Sequence, residues 1–115
     1  MSTLIVSGPI VTDSEILEAG QNLKRGAVLG KVSATGKLKL SATVLDDGVT
    51  AVTDGSENVY AILLDDADAS AADKRVGVIK AGEINEAALT FGSGHTAAST
   101  KEAFRTLGIY LKTIA

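Results

Sequence analysis

The 115-residue chain has no cysteine, no tryptophan and one proline, and its aromatic side chains are two tyrosines and two phenylalanines. Without cysteine there is neither a disulfide framework nor a thiolate metal site. With so few aromatics the core must be built from Val, Ile, Leu and Ala, enough at this length for one compact but thin core. A thin core makes self-association a natural source of further buried area. Positive charge is also scarce: 11 Lys and Arg stand against 14 Asp and Glu, for a formal charge of −3. The longest basic runs are the pairs Lys24-Arg25 and Lys74-Arg75. A nucleic-acid surface needs clustered cations interleaved with stacking aromatics, so nucleic acid is not an expected partner. No apolar run reaches the ~18 residues of a membrane span. The start, Met1 to Val11, lacks the basic and long apolar regions of a secretory signal. No membrane partner is expected, and the expected place of action is a cytoplasm or a particle assembled in one.

What the chain does have is glycine-punctuated apolar sequence. From Ala19 to Val32, Gly20, Gly26 and Gly30 recur at short intervals among Leu23, Val28, Leu29 and Val32. Glycine takes positive φ at no steric cost, so this stretch predicts a corner where the backbone turns tightly and re-enters a sheet. Before it, residues 1–9 end in Ser7-Gly8-Pro9, and Pro9 has no N–H to give to a ladder. This segment is expected to be a terminal arm, mobile unless something holds it. Ile10 to Leu17 predicts a strand, as do Ala27 to Ala34 and, after the turn Thr35-Gly36-Lys37, the alternating Leu38-Lys39-Leu40. Turns are expected at Asp46-Asp47-Gly48 and Asp54-Gly55-Ser56.

Val59 to Leu64 is the strongest apolar run and predicts a buried strand. Asp65 to Asp73 reads as an acidic, Ala-rich connection, Arg75 to Lys80 as a strand ending at Ala81-Gly82, and Glu86 to Leu89 as about one helical turn. Phe91 to His95 reads as a flexible loop. Ser99 and Glu102 have the spacing of a capping box, with Ala103, Phe104 and Leu107 on one helical face and Gly108 as the stop. Ile109 to Lys112 closes the chain as a strand. The sum is a mainly β domain, α+β at the margin: a small β-barrel or β-tulip-like body with one short C-terminal helix.

No constellation of catalytic residues emerges. Asp65, Asp66, Asp68 and Asp73 suggest a calcium loop, yet counted from Asp66 the sixth position is Ala71 and the twelfth Gly77, where such a loop needs Gly and Glu. His95, the single histidine, has Ser93 and Ser99 nearby, but no orienting carboxylate can be grouped with them, and a surface loop histidine is the expectation. Gly92-Ser93-Gly94 lacks the Gly-Lys-Ser/Thr of a phosphate loop. Tyr60, Phe91, Phe104 and Tyr110 read as core. Lys24 and Arg25 read as an exposed turn pair. No enzyme, cofactor or metal is expected. Leu23 to Gly30 also resembles the strands of biotinyl or lipoyl domains, a carrier or small binding module in which Lys37 would be the modified residue.

The order of the pieces resembles the bacteriophage head decoration proteins of the phage lambda type. The residues that carry this are Gly20-Gln21-Asn22-Leu23-Lys24-Arg25-Gly26-Ala27-Val28-Leu29-Gly30-Lys31-Val32, Tyr60 to Ala69, Gly82 to Leu89, and Leu107-Gly108-Ile109. The chain departs from that pattern in a shorter N-terminal segment and in having no Trp near Leu89-Thr90-Phe91. The resemblance implies a structural virion protein: a homotrimer on the outer surface of the phage head, at three-fold sites, cementing the expanded shell. It also implies that a loose N-terminal arm orders by joining strands of the major capsid protein. Here residues 1–11 would be that arm, with Leu4, Ile5, Val6, Pro9, Ile10 and Val11 as its contacts, and residues 12–115 the decoration domain.

Overall fold

The computed structural model describes residues 5–44, 48–92 and 94–112. Eight strands and one α-helix follow in order: β1 (Ile5–Leu17), β2 (Gln21–Leu23), β3 (Val28–Lys31), β4 (Leu38–Leu40), β5 (Val59–Leu63), β6 (Ala67–Ala69), β7 (Lys74–Asn85), α1 (Ala97–Leu107) and β8 (Ile109–Lys112). A single 3-10 turn, Glu86–Ala88, stands where one helical turn was expected. The fold is mostly β, with the one short helix near the C-terminus.

Six strands form one sheet in the order β1-β4-β3-β5-β7-β8, and a further pairing of β1 with β7 closes β1, β4, β3, β5 and β7 into a ring of hydrogen-bonded neighbours. The closure with β4 is slight, a single parallel pair between Leu17 and Leu38. The remaining strands, β2 and β6, make a separate antiparallel ribbon.

Apolar neighbours in sequence explain the burial. Val28-Leu29 on β3, Ile62-Leu63 on β5 and Val78-Ile79 on β7 are all fully buried, and successive side chains on a strand point to opposite faces. Both faces of this part of the sheet must therefore be covered, so the expected single core divides in two. Inside the ring, Leu17, Leu29, Leu38, Ala61, Leu63, Val76 and Val78 pack together, joined by Ala67 and Ala69 of β6 and by the half-buried Leu23 of β2. On the outer face, Val28, Ile62, Ile79, Ile84, Ile109 and Leu111 pack around Phe104 of α1.

Several boundaries differ from expectation. The helix begins at Ala97, so Ser99 lies inside it rather than capping it. Its buried face is Thr100 and Phe104, four residues apart, whereas Ala103 is exposed and Leu107 is 40% exposed. Thr100 can be buried because its hydroxyl donates to the Thr96 carbonyl at 2.8 Å. Gly108 does end the helix, with φ +93° and its N–H on the Arg105 carbonyl. β6 lies within the stretch expected to be a plain connection, its Ala-Asp-Ala alternating buried, exposed, buried. β7 runs on through Gly82 instead of ending there. Asp46 and Asp47, assigned to a turn, and Ser93 of the loop lie outside the described residues.

The corner is of two kinds. Gly20 and Gly26 have φ of +97° and +94° and make the turns on either side of β2. Gly30 lies within β3, at a register shift against β5, without positive φ, and serves a close approach instead: a Cβ there would fall on the Ser56 carbonyl, 2.7 Å from its carbon.

Candidate functional site

The N-terminal strand β1 differs along its length. From Thr12 to Leu17 it pairs with β7 residue by residue, Thr12 with Ile79 through to Leu17 with Lys74. From Ile5 to Val11 only three pairs are made, Ile5 with Ile84, Ser7 with Glu83 and Val11 with Ala81, and register shifts separate each from the next. Between Ser7 and Val11 the ladder skips three β1 residues against the single Gly82 of β7. Pro9, which has no N–H to give, lies in that skipped run. Ile10 is half-buried and lies against Gly82, while Val11 is 57% exposed.

On its other side β1 pairs with β4 only at Leu17. Among the described pairings, residues 5–16 therefore present an open strand edge, the kind of surface that accepts a further strand. Of the expected contact residues, Ile5, Val6, Pro9, Ile10 and Val11 lie on this strand, and Leu4 lies outside the described residues. The last register shift falls between Val11 and Thr12.

A hub of charged groups stands beside that boundary. The ammonium of Lys80 on β7 is 2.7 Å from Glu15 Oε2 and 3.3 Å from Asp13 Oδ2, both on β1. It also donates to the Tyr60 hydroxyl of β5 at 2.6 Å, and that hydroxyl donates to Glu15 Oε2 at 2.9 Å. Lys31 of β3 extends its ammonium over the Tyr60 ring, 4.9 Å from the centroid. An ammonium has three N–H donors, and Lys80 has a partner for each. The Lys80 hydrogen bond holds the Glu15 carboxyl below its ordinary range, outweighing the desolvation that would raise it. Glu15, and then Tyr60, push Lys80 up in turn. For Asp13 the Ser14 N–H is the first cause of a lowered value and Lys80 the second. With its three N–H donors engaged on Glu15, Asp13 and Tyr60, the Lys80 ammonium ties β7 to β1 and β5. Sequence reasoning missed the hub: Tyr60 read as core, and it does pack against the inner core, but the hub's four strands meet only in the fold.

His95 is half-buried rather than a surface group, and its loop is pinned. Nε2 lies 2.9 Å from the Glu57 carbonyl and 3.0 Å from Ser41 Oγ. A carbonyl only accepts, and the Ser41 hydroxyl donates to the Ser56 carbonyl at 2.7 Å, so Nε2 carries the proton and serves both oxygens. A catalytic serine would have to give its proton to that nitrogen; here the donor relationship runs the other way. The Gly92 N–H adds a bond to the Ser41 carbonyl, and three loops are thereby joined at one histidine.

The other candidates are structural by their partners. Asp66 accepts the Arg25 N–H and Asp68 the Ser70 N–H. Asp73 accepts the Ala19 N–H and pairs with Lys37 at 2.6 Å. Lys37, whose ammonium Asp73 holds above its ordinary range, is thus not a free hairpin-tip lysine of the sort a carrier domain presents. Among the described residues there is no group of three or more His, Asp and Glu placed to hold a metal ion, and no helix long and apolar enough to cross a membrane.

The profile of the bacteriophage lambda head decoration protein D family matches residues 3–110. The chain belongs to this family. No individual curated protein matches it. Membership makes the protein a structural component of the phage capsid, located on the virion, and the resemblance read from the corner and the Tyr60 to Ala69 run is borne out. The family is a structural one, not known for enzyme activity.

Proposed function

We propose that the protein is a trimeric decoration protein that cements the expanded phage head at three-fold sites, with residues 1–11 adding to strands of the major capsid protein. The observation that carries the reading is the family match over residues 3–110. The open edge and interrupted ladder of residues 5–11 support the role given to the arm. An incoming strand can pair along the open edge, or the arm can trade its three pairs with β7 for a continuous ladder on the capsid.

The energetics favour a threefold arrangement. Ordering each arm residue costs roughly 1–2 kcal/mol, while each newly buried aliphatic side chain contributes about 1.5–3 kcal/mol. Leu4, Ile5, Val6 and Ile10 together return less than ordering all of residues 1–11 costs, so one arm alone holds weakly. Three arms on one body bind with avidity that can add about 10²–10⁴ in affinity without new contacts.

The test compares the full chain with one lacking residues 1–11, by sedimentation with expanded and with immature heads. The full chain is expected to run as a trimer at micromolar concentration and to pellet with expanded heads alone, while the truncated chain stays in the supernatant. Equal retention of both chains, or a full chain that remains monomeric and binds no head, overturns the proposal.

A further inference from the structure

We infer that β1 is a strand in two parts, an anchored half from Thr12 to Leu17 and a separately releasable leaf from Ile5 to Val11, and that the hub centred on Lys80 is the stop between them. The inference rests on the proposed function for the use of the leaf, though not for its existence.

The ladder supplies the first line of argument. Three pairs broken by three shifts hold the leaf, whereas six consecutive pairs hold the anchored half. A continuous ladder opens cooperatively, while an interrupted one can open piecemeal at each interruption. The leaf also holds Pro9, which donates nothing.

The hub supplies the second. Asp13 and Glu15 are the second and fourth residues of the anchored half, and both reach Lys80 of β7. Through Tyr60 the same ammonium is tied to β5, so when β1 parts from β7 at Asp13 to Glu15 the Tyr60 hydroxyl also loses its acceptor, Glu15 Oε2, and keeps only the bond from Lys80. Opening that starts at Ile5 therefore meets little resistance until Val11 and then has to separate several charge-assisted bonds at once. Beyond this point β1 lines the inner core through Leu17, so the stop also keeps departure of the leaf from exposing that core. A strand lent to a neighbour needs such a limit, because exchange that ran on to Leu17 would open the ring.

Native-state amide hydrogen exchange with fragment-level mass spectrometry on the full chain tests this without any capsid. In the unaltered protein, β7-bonded amides of residues 5–11 are expected to exchange at least about 10-fold faster than those of 12–17. In Lys80→Met, which keeps the aliphatic stem, residues 12–17 are expected to approach the leaf's rate while β3 and β5 keep theirs. Should that variant loosen β3 and β5 as well, Glu15→Gln and Tyr60→Phe give milder versions of the same comparison. The inference is overturned if residues 5–11 and 12–17 exchange as one unit in the unaltered protein. It is equally overturned if residues 12–17 never change separately from β5 in any of the three variants. A truncated chain that still binds heads would sink the capsid role of the arm and leave this boundary intact, so the two failures are distinguishable.

Discussion

Ile10 of β1 lies over the position where Gly82 of β7 has no Cβ: an atom placed there would stand 2.6 Å from Ile10 Cγ2 and 3.3 Å from its Cβ. Gly82 also has φ of +142°, a conformation that side chains other than hydrogen rarely adopt. The glycine thus lets β7 continue through the irregularity that accommodates the arm.

Gly82→Ala is accordingly expected to cost about 1–3 kcal/mol, from backbone strain and the displaced Ile10 together. Urea unfolding measures the total. Exchange of residues 5–11 should rise more than that of residues 12–17, because the collision is with the arm's own side chain.

His95 joins three loops through one proton. Replacing it with Ala leaves the Glu57 carbonyl without this donor, and the expected loss is about 1–3 kcal/mol in equilibrium unfolding. His95→Gln can place an N–H near the position of Nε2 and should recover part of that loss, whereas His95→Leu, of similar bulk but without a donor, should not. Equal destabilisation by Gln and Leu would show that the ring's packing matters and its proton does not.

The sequence was most informative where local chemistry decides the structure. Val59 to Leu64 and Ile109 to Lys112 announce their strands by continuous apolar content, and Gly108 announces its stop. It was least informative where partners distant in the chain decide. Three residues of alanine and aspartate carry too little pattern to mark β6, which exists because Gln21 to Leu23 pair with it. The end expected at Gly82 follows from glycine's usual role, and only β1 on one side and β8 on the other explain why β7 continues. The hub has the same origin, since Asp13, Lys31, Tyr60 and Lys80 are far apart in the chain. His95 was misjudged because nothing in Gly94-His95-Thr96 reveals Ser41 or Glu57.

Asp54 gives the stability a predictable response to acid. Its carboxylate pairs with Lys39 at 2.7 Å and accepts both the N–H and the hydroxyl of Ser56, the first Lys39 and then Ser56 bringing it from 3.8 to about 2. A carboxyl depressed in the folded state stabilises the fold in full above its unfolded value, and the contribution is lost as pH falls through the folded one. Asp54→Asn should therefore be less stable than the parent near neutrality, and the two should converge as pH drops from about 4 towards 2. Urea midpoints across that range measure it, and a constant gap between the two proteins would exclude Asp54 as the source.

Gly30 and Gly77 allow close approach to be separated from backbone freedom, since neither has positive φ. A Cβ on Gly77 would meet Leu64 Cδ2 at 3.4 Å, the end of a side chain that can move. A Cβ on Gly30 would meet the Ser56 backbone, 2.7 Å from its carbonyl carbon and 2.8 Å from its Cα. Ala in place of a strand glycine has an intrinsic advantage of roughly 0.5–1 kcal/mol, so Gly77→Ala should be neutral or slightly stabilising in urea unfolding. Gly30→Ala has the same advantage but must part β3 from the segment leading into β5, at a cost of about 3 kcal/mol, the upper end for overpacking. That displacement would also disturb the Ser41 to Ser56 hydrogen bond, so the environment of His95 should change in proton NMR for Gly30→Ala and stay unaltered for Gly77→Ala.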